Sequence, residues 1–262
     1  MLVNIVVLIK QVPDTTEIKV NFETGTLIRD GVKSIMNPDD RAGLEEALKI
    51  KDASGAKVTI VTMGPPQADI MLREALAMGA DEAILVSDGR FAGADTWATS
   101  STLAGVLEKL NFDLIIAGRQ AIDGDTAQVG PQTAEKLNIP HITYVEEIVS
   151  YTDKDITVHR QYEDEYHVVK ASFPCLLTSL TEMNKPRYMN TGGIVDAFEK
   201  EVQVWKLDDI NVDIANIGLK GSPTKVRKTF TKEAAKKADL FEGTASEAAD
   251  HIKAELASRN LI

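Results

Sequence analysis

Cysteine is nearly absent. The 262-residue chain has one, Cys175, so neither a disulfide framework nor a cysteine-ligated metal site can form within it, and a reducing cytoplasm is expected. Its four histidines, His141, His159, His167 and His251, are scattered, with none at metal-ligand spacing. Positive charge is also scarce. Lys and Arg number 29 against 40 Asp and Glu, a net charge of −11, which argues against general nucleic-acid binding because a phosphate backbone needs a positive face. The basic stretch from Lys225 to Lys237 interrupts that background and has two readings, solvated surface or partner contact. The apolar run Val3 to Ile9 is far too short to span a bilayer. It also lacks a basic leader and a small-residue cleavage site, so a buried strand is expected rather than a signal peptide. Missing too are a Gly-x-Gly-x-x-Gly fingerprint after a strand, a Walker loop, a nucleophile elbow and a serine triad. Hydrolytic and metal chemistry are therefore unsupported, and no residue is named as catalytic.

What is present is an alternation of strands and helices. Val3 to Ile9, Val58 to Val61, Ala83 to Val86 and Leu114 to Gly118 read as buried parallel strands. Between them lie helix signals: Asn37 as a cap with Pro38 in the first turn, Gly64-Pro65-Pro66 before a helix that stops at Gly79, Asp95 as a cap, and a helix from Thr126 to Leu137. Such alternation predicts an α/β fold with a doubly wound, mostly parallel sheet. Ile156 to Tyr162 and Tyr166 to Phe173 predict an inserted β-hairpin. Pro174 to Ser179 reads as a strand returning to the sheet, and Ile194 to Phe198 as a short helix. Residues 200–262 show no long apolar strand and close on a helix capped by Thr244 and Glu247, so they read as an arm on another surface. The expected division is residues 1–199 as the α/β domain and 200–262 as the arm.

One segment stands where a ligand site belongs. Gly118 to Gly130 runs from the end of the fourth strand into a helix, and open α/β sheets bind ligands at that edge. Gly118 and Gly124 permit close backbone approach, while Thr126, Gln128 and free helix-start amides can donate to phosphate. The alternative is an ordinary turn with a cap. Asn37 to Arg41 and Thr62 to Pro65 belong on the same edge. Asp123 and Asp125 would repel phosphate, so capping or acceptance from sugar or partner donors suits them better.

Several ordered motifs resemble the β-subunit family of electron-transferring flavoproteins. They are Ile9-Lys10-Gln11-Val12, Met36-Asn37-Pro38, Met63-Gly64-Pro65, Ala75 to Asp81, Gly118 to Asp123 and Asn184 to Tyr188, with a signature-like run from Val158 to Thr178 that departs at His167. The resemblance implies a Rossmann-like adenine-nucleotide-binding fold and a heterodimer with an α subunit that holds FAD. It aligns Leu8, Asn37, Pro38, Asp39, Asp40, Met63, Gly118, Arg119, Gln120, Ala121, Ile122, Asp123, Gly124, Asp125, Thr126, Ala127, Gln128 and Val129 with nucleotide contacts. It makes residues 184–198 a partner-recognition segment, with Asn184, Pro186, Arg187, Tyr188, Met189 and Ile194 as its contacts; from the residues alone, a plain surface connection is the other reading.

The segments Phe91 to Ser100 and Asp123 to Gly130 resemble the electron-bifurcating branch, whose β subunit holds a second FAD; the alternative is a carrier with structural AMP. The branch implies hydride from NADH, one electron to ferredoxin or flavodoxin, and the other through the α-subunit FAD to an acyl-CoA dehydrogenase or related dehydrogenase. Oxidoreductase activity would then belong only to the αβ complex. A nucleotide-binding stress or signalling protein on the same sheet is a third possibility, but it would need neither the 184–188 loop nor the long arm.

Overall fold

The computed structural model describes residues 4–14, 19–20, 27–28, 33–225, 227 and 240–262. Two compact units divide the chain, Met1–Arg227 and Lys228–Ile262. The first opens with β1 (Asn4–Leu8). Four short strands follow, β2 (Gln11–Pro13), β3 (Lys19–Val20), β4 (Leu27–Ile28) and β5 (Ser34–Met36), paired as two antiparallel ribbons, β2 with β5 and β3 with β4. Next come α1 (Pro38–Ser54), β6 (Lys57–Met63), α2 (Asp69–Met78), β7 (Glu82–Val86), α3 (Thr96–Leu107), β8 (Leu114–Gly118) and α4 (Val129–Lys136). The unit continues through β9 (His141–Tyr151), β10 (Asp155–Tyr162), β11 (Glu165–Ser172), β12 (Cys175–Ser179), α5 (Thr191–Glu199), β13 (Val202–Trp205) and the short α6 (Gly218–Gly221).

A nine-stranded sheet carries the unit, in the order β11-β10-β9-β12-β8-β1-β6-β7-β13. Only the β9-β10-β11 pairings are antiparallel; the rest are parallel. Successive side chains on a strand point to opposite faces, and the core divides accordingly. Ile5, Val7, Leu114 and Ile116 pack with Leu44, Leu48 and Leu72 of α1 and α2. Val6, Ile115 and Ala117 pack with Leu103, Val106 and Ala134 of α3 and α4. Strands apolar on both faces need helices on both faces, which is the doubly wound architecture.

Connections from β1 run outward to β6 and β7, then return across to β8 on the other side of β1. The topological switch therefore lies between β1 and β8, where a crevice opens beyond the carboxyl ends of the strands.

Three local expectations change. The helix after β8 starts at Val129 rather than Thr126, because Asp125 and Ala127 adopt left-handed backbone conformations (φ 47° and 52°) that cannot continue a helix. The helix before residue 200 starts earlier, at Thr191, with Asn190 as its cap accepting from the Gly193 amide. Residues 202–205, read from sequence as part of the arm, form the sheet-edge strand β13, paired with β7. The basic run 225–237 lies, apart from residues 225 and 227, outside the described residues.

In the second unit, Thr244 and Glu247 form the anticipated reciprocal cap of α7 (Ala245–Ser258), and Phe241 stacks on His251. Among the described residues no helix is long and apolar enough to cross a membrane, and no group of His, Cys, Asp and Glu could hold a metal ion.

Candidate functional site

The carboxyl ends of β1, β6, β7 and β8 open onto one cleft of about 930 Å³. Leu8 to Gln11 close it after β1, Thr62 to Pro66 after β6, and Val86 to Asp88 after β7. Gly118 to Ala121, Gly124 and Thr126 to Gly130 form the wall after β8.

Asp40, in the first turn of α1, reaches the point where β1 and β8 part. Its carboxylate accepts from the Lys10 amide at 2.7 Å and from the Gly118 amide at 2.9 Å, so one side chain bridges the two strand ends. Only 6% of Asp40 is exposed. That burial, offset in part by hydrogen bonds from Asn37, Lys10 and Gly118 and reinforced by the neighbouring Asp39 charge, pushes its carboxyl up to about 7. Gly118 must be glycine here: a Cβ would collide with the Asp40 carboxylate and come within 2.9 Å of the Asp40 amide.

Asn37 does not cap α1 with its side chain. Its Nδ2 donates to the Gln120 carbonyl at 2.8 Å, and its Oδ1 accepts from the Ile122 amide at 3.1 Å. The loop after β8 is thereby fastened to the start of α1, and burying both amide groups of Asn37 is compensated by both bonds. Asp39 turns the other way. It accepts from the Thr181 amide and hydroxyl and stands 3.3 Å from Arg119 Nε. Lys10 Nζ donates to Asp123 at 2.6 Å, and Gln120 Nε2 to Asp125 at 3.1 Å. These aspartates hold the loop's shape rather than facing the cavity.

Of the residues expected at a ligand, Leu8, Asp40, Met63, Gly118, Arg119, Gln120, Ala121, Gly124, Thr126, Ala127, Gln128 and Val129 line the cleft. Asn37, Pro38, Asp39, Ile122, Asp123 and Asp125 stand behind the wall; the cavity surface does not include them. The loop after β7 lines the cleft too, through Ser87 to Gly89, Phe91 to Thr96 and Thr99; the part from Phe91 onward falls in a segment already singled out by resemblance. Thr224, from far along the chain, borders the cleft with no signal in the sequence.

The starts of α3 and α4 meet at this cleft. Asp95 caps α3 by accepting from the Ala98 amide, and Thr96 Oγ1 donates to Gln128 Oε1 at 2.8 Å. Ser100 Oγ donates to Gln132 Oε1 at 3.1 Å one turn further in. Two helix N-termini are thus held side by side at the wall. Their aligned peptide dipoles and free first-turn amides favour an anion, and α4 has no side-chain cap to compete for its amides.

The segment from residue 184 to 199 divides by direction. Asn184 Nδ2 donates to the Ala42 carbonyl, and Arg187 grips the buried Glu45 carboxylate through its backbone amide, Nε and NH2. Both residues therefore face α1 of their own chain, and Pro186 between them is half-buried. Tyr188 is 92% exposed, and Met189, Ile194, Val195 and Phe198 are also exposed, while Ala197 packs inward.

Residues 24–210 match the family described as Electron transfer flavoprotein domain. The chain is 54% identical over 259 residues to the Electron transfer flavoprotein subunit beta of Clostridium acetobutylicum, covering 99% of this chain and 100% of that one. It is 52% identical over 261 residues to the Caffeyl-CoA reductase-Etf complex subunit CarD of Acetobacterium woodii, covering 98% and 99%. With the Acryloyl-CoA reductase electron transfer subunit gamma of Anaerotignum propionicum it shares 43% identity over 267 residues, again covering 98% and 99%. The chain belongs to the β-subunit family of electron transfer flavoproteins.

Proposed function

We propose that this chain is the β subunit of an electron-bifurcating flavoprotein and holds FAD in the cleft at the β1–β8 switch point. The observation that carries the reading is the cleft itself. At about 930 Å³ it lies near the upper end of small-molecule sites, more than a mononucleotide such as AMP fills. Its wall brings together two helix N-termini and the Thr99 and Thr126 hydroxyls, a donor set suited to a diphosphate. Leu8, Met63 and Val86 offer apolar surface for flat rings.

Bound there, FAD would supply the redox chemistry, two-electron hydride uptake and one-electron transfer, with NADH as donor and, as acceptors, ferredoxin or flavodoxin and, through the α-subunit FAD, an acyl-CoA dehydrogenase or related partner. The chain's own work is binding and orientation. The α3 and α4 amides neutralise phosphate charge, Thr126 and Gln128 donate from the wall, and the Asp40 bridge keeps the strand ends at the spacing that shapes the floor. Tyr188, Met189 and Ile194 form the surface offered to the dehydrogenase. The second unit, Lys228–Ile262, is the part left to serve as the arm placed against the α subunit, and the complex works in the cytoplasm. The names of the Acetobacterium and Anaerotignum relatives, which tie them to acyl-CoA reductases, support the choice of partner.

The test is the cofactor content of the purified αβ complex. Denaturation is expected to release two FAD per heterodimer, measured by chromatography of the extract. One FAD with one AMP would overturn the bifurcating reading and leave a carrier with a structural nucleotide.

A further inference from the structure

The cleft loop after β7 is not built on the sheet alone. A segment more than 120 residues further along the chain, Ile217 to Thr224, lies along its outer side. Ile217 is buried in the core on the α3 side, and the Leu219 amide donates to the Ala92 carbonyl at 3.0 Å. Gly218 has φ 58°, and a Cβ there would collide with the Arg90 carbonyl, so the two backbones touch. The end of the segment converges on one carboxylate. Asp95 Oδ2 accepts from the Thr224 amide at 3.0 Å and from the Thr224 hydroxyl at 2.7 Å, while Ser222 Oγ accepts from the Asp95 amide at 2.9 Å. Asp95 Oδ1 meanwhile caps α3 through Ala98. Burial works against the Asp95 charge, but the bonds from Ala98, Thr224 and Ser222 outweigh it and hold the carboxyl below its ordinary range. Asp95 and Thr224 both line the cleft.

We propose that residues 217–224 form a strap that retains the nucleotide, with Asp95 as the positioning residue that latches the strap and the start of α3 together. The inference rests on the reading that the cleft holds a nucleotide. One carboxylate fixes two walls of that cleft, so release of the ligand past this edge requires the Thr224 bonds to open. Every group in the latch is uncharged except Asp95, and two of its bonds come from one residue, so the latch opens as a unit.

The experiment uses the αβ complex and measures the rate at which the β-chain nucleotide leaves when chased with excess free nucleotide, with the α-subunit FAD as internal control. Asp95→Asn separates the two duties. The Ala98 amide keeps the amide oxygen at the capping position, which leaves NH2 facing the Thr224 N–H and removes that bond, while the Thr224 hydroxyl is left only to accept from a neutral amide. Losing hydrogen bonds to a charged acceptor predicts release on the order of tenfold faster. Thr224→Val, which leaves Asp95 and the cap untouched, is expected to accelerate release in the same direction. Thr224→Ser, which keeps the hydroxyl, is expected to release at the parent rate; a purely structural role for residue 224 would not produce that rescue. Unchanged release in both Asp95→Asn and Thr224→Val overturns the strap alone. A parent complex with no nucleotide in the β chain overturns the strap and the cleft reading together.

Discussion

The cleft and the segment from residue 184 to 199 invert each other's design. In the cleft, charged and polar groups are buried and tied to backbone: Asp40 takes two amides, and Asn37 uses both ends of its side chain on the loop after β8. What faces the cavity is largely small, neutral or apolar. In the segment the polar side chains Asn184 and Arg187 turn inward to α1, while Tyr188, Met189, Ile194, Val195 and Phe198 stand exposed among polar Lys185, Asn190, Thr191, Asp196 and Glu199. Sequence alone groups Arg187 with Tyr188 as neighbours of one kind. The structure separates them: Tyr188 projects into solvent, whereas the Arg187 side chain, 31% exposed, is tied to Glu45 of α1.

That division is broken most directly by charging the outward face. Replacing Met189 and Ile194 with Asp in one chain is expected to cut electron delivery to the dehydrogenase by on the order of a hundredfold, since buried apolar anchors are each worth about 2 kcal/mol or more at an interface. Reduction of the complex's own flavins by NADH should persist, read by absorbance in the absence of the dehydrogenase. A fall in both activities would make the segment part of the fold rather than a docking face.

The same logic applied to the cleft gives Thr126→Glu. The residue is exposed within the cavity, so the longer side chain has room, and its charge would stand beside the phosphates. Like-charge juxtaposition costs several kcal/mol, so β-chain nucleotide occupancy should weaken by on the order of a hundredfold. The α-subunit FAD should be retained, as measured by cofactor release. Unchanged occupancy would mean the phosphates lie elsewhere.

Local signals were legible and distant ones were not. Apolar runs such as Leu114 to Ile116 announce a buried strand because a strand covered on both faces has no polar positions. Asp95 reads as a cap because capping acts over three residues. Asn37 reads as a cap for the same reason and fails to be one, because the loop that claims it lies 83 to 85 residues away. Thr224 gives no local sign at all that it borders the cleft. β13 was hidden because Val202 to Trp205 is a sheet edge with exposed positions and so lacks the apolar density of the inner strands. The start of α4 was misplaced because nothing in Asp125-Thr126-Ala127 marks two left-handed residues in advance.

Inward grips call for a stability measurement. Arg187→Ala leaves the Glu45 carboxylate, only 5% exposed as a residue, without its bidentate partner. Hydrogen bonds between charged groups suggest a loss of about 2–3 kcal/mol, visible as a lower midpoint in denaturant unfolding. The bond from Arg187 to the exposed Asp52 adds little. Nucleotide occupancy at temperatures where the protein stays folded should be unaffected, which separates the segment's anchoring from the cleft.

The smallest effect tests the cleft's buried charge. The Asp40 carboxyl, pushed up to about 7 in the fold, has an ordinary value of 3.8 when the chain unfolds. The folded state therefore binds a proton that the unfolded state has already lost, and stability is higher below pH 7 and declines as pH rises through it. Between pH 6 and pH 8 the decline from this group amounts to about 1.4 kcal/mol for a pKa near 7. The charged groups around it are Asp39, which stands 3.3 Å from Arg119, and Lys10, which is paired with Asp123. The difference between the parent and Asp40→Asn isolates the carboxylate. The variant loses one of two backbone bonds and is less stable at every pH, yet its unfolding free energy should fall less between pH 6 and pH 8. Parallel curves would show that Asp40 stays ionised throughout, held by the Lys10 and Gly118 amides against its burial.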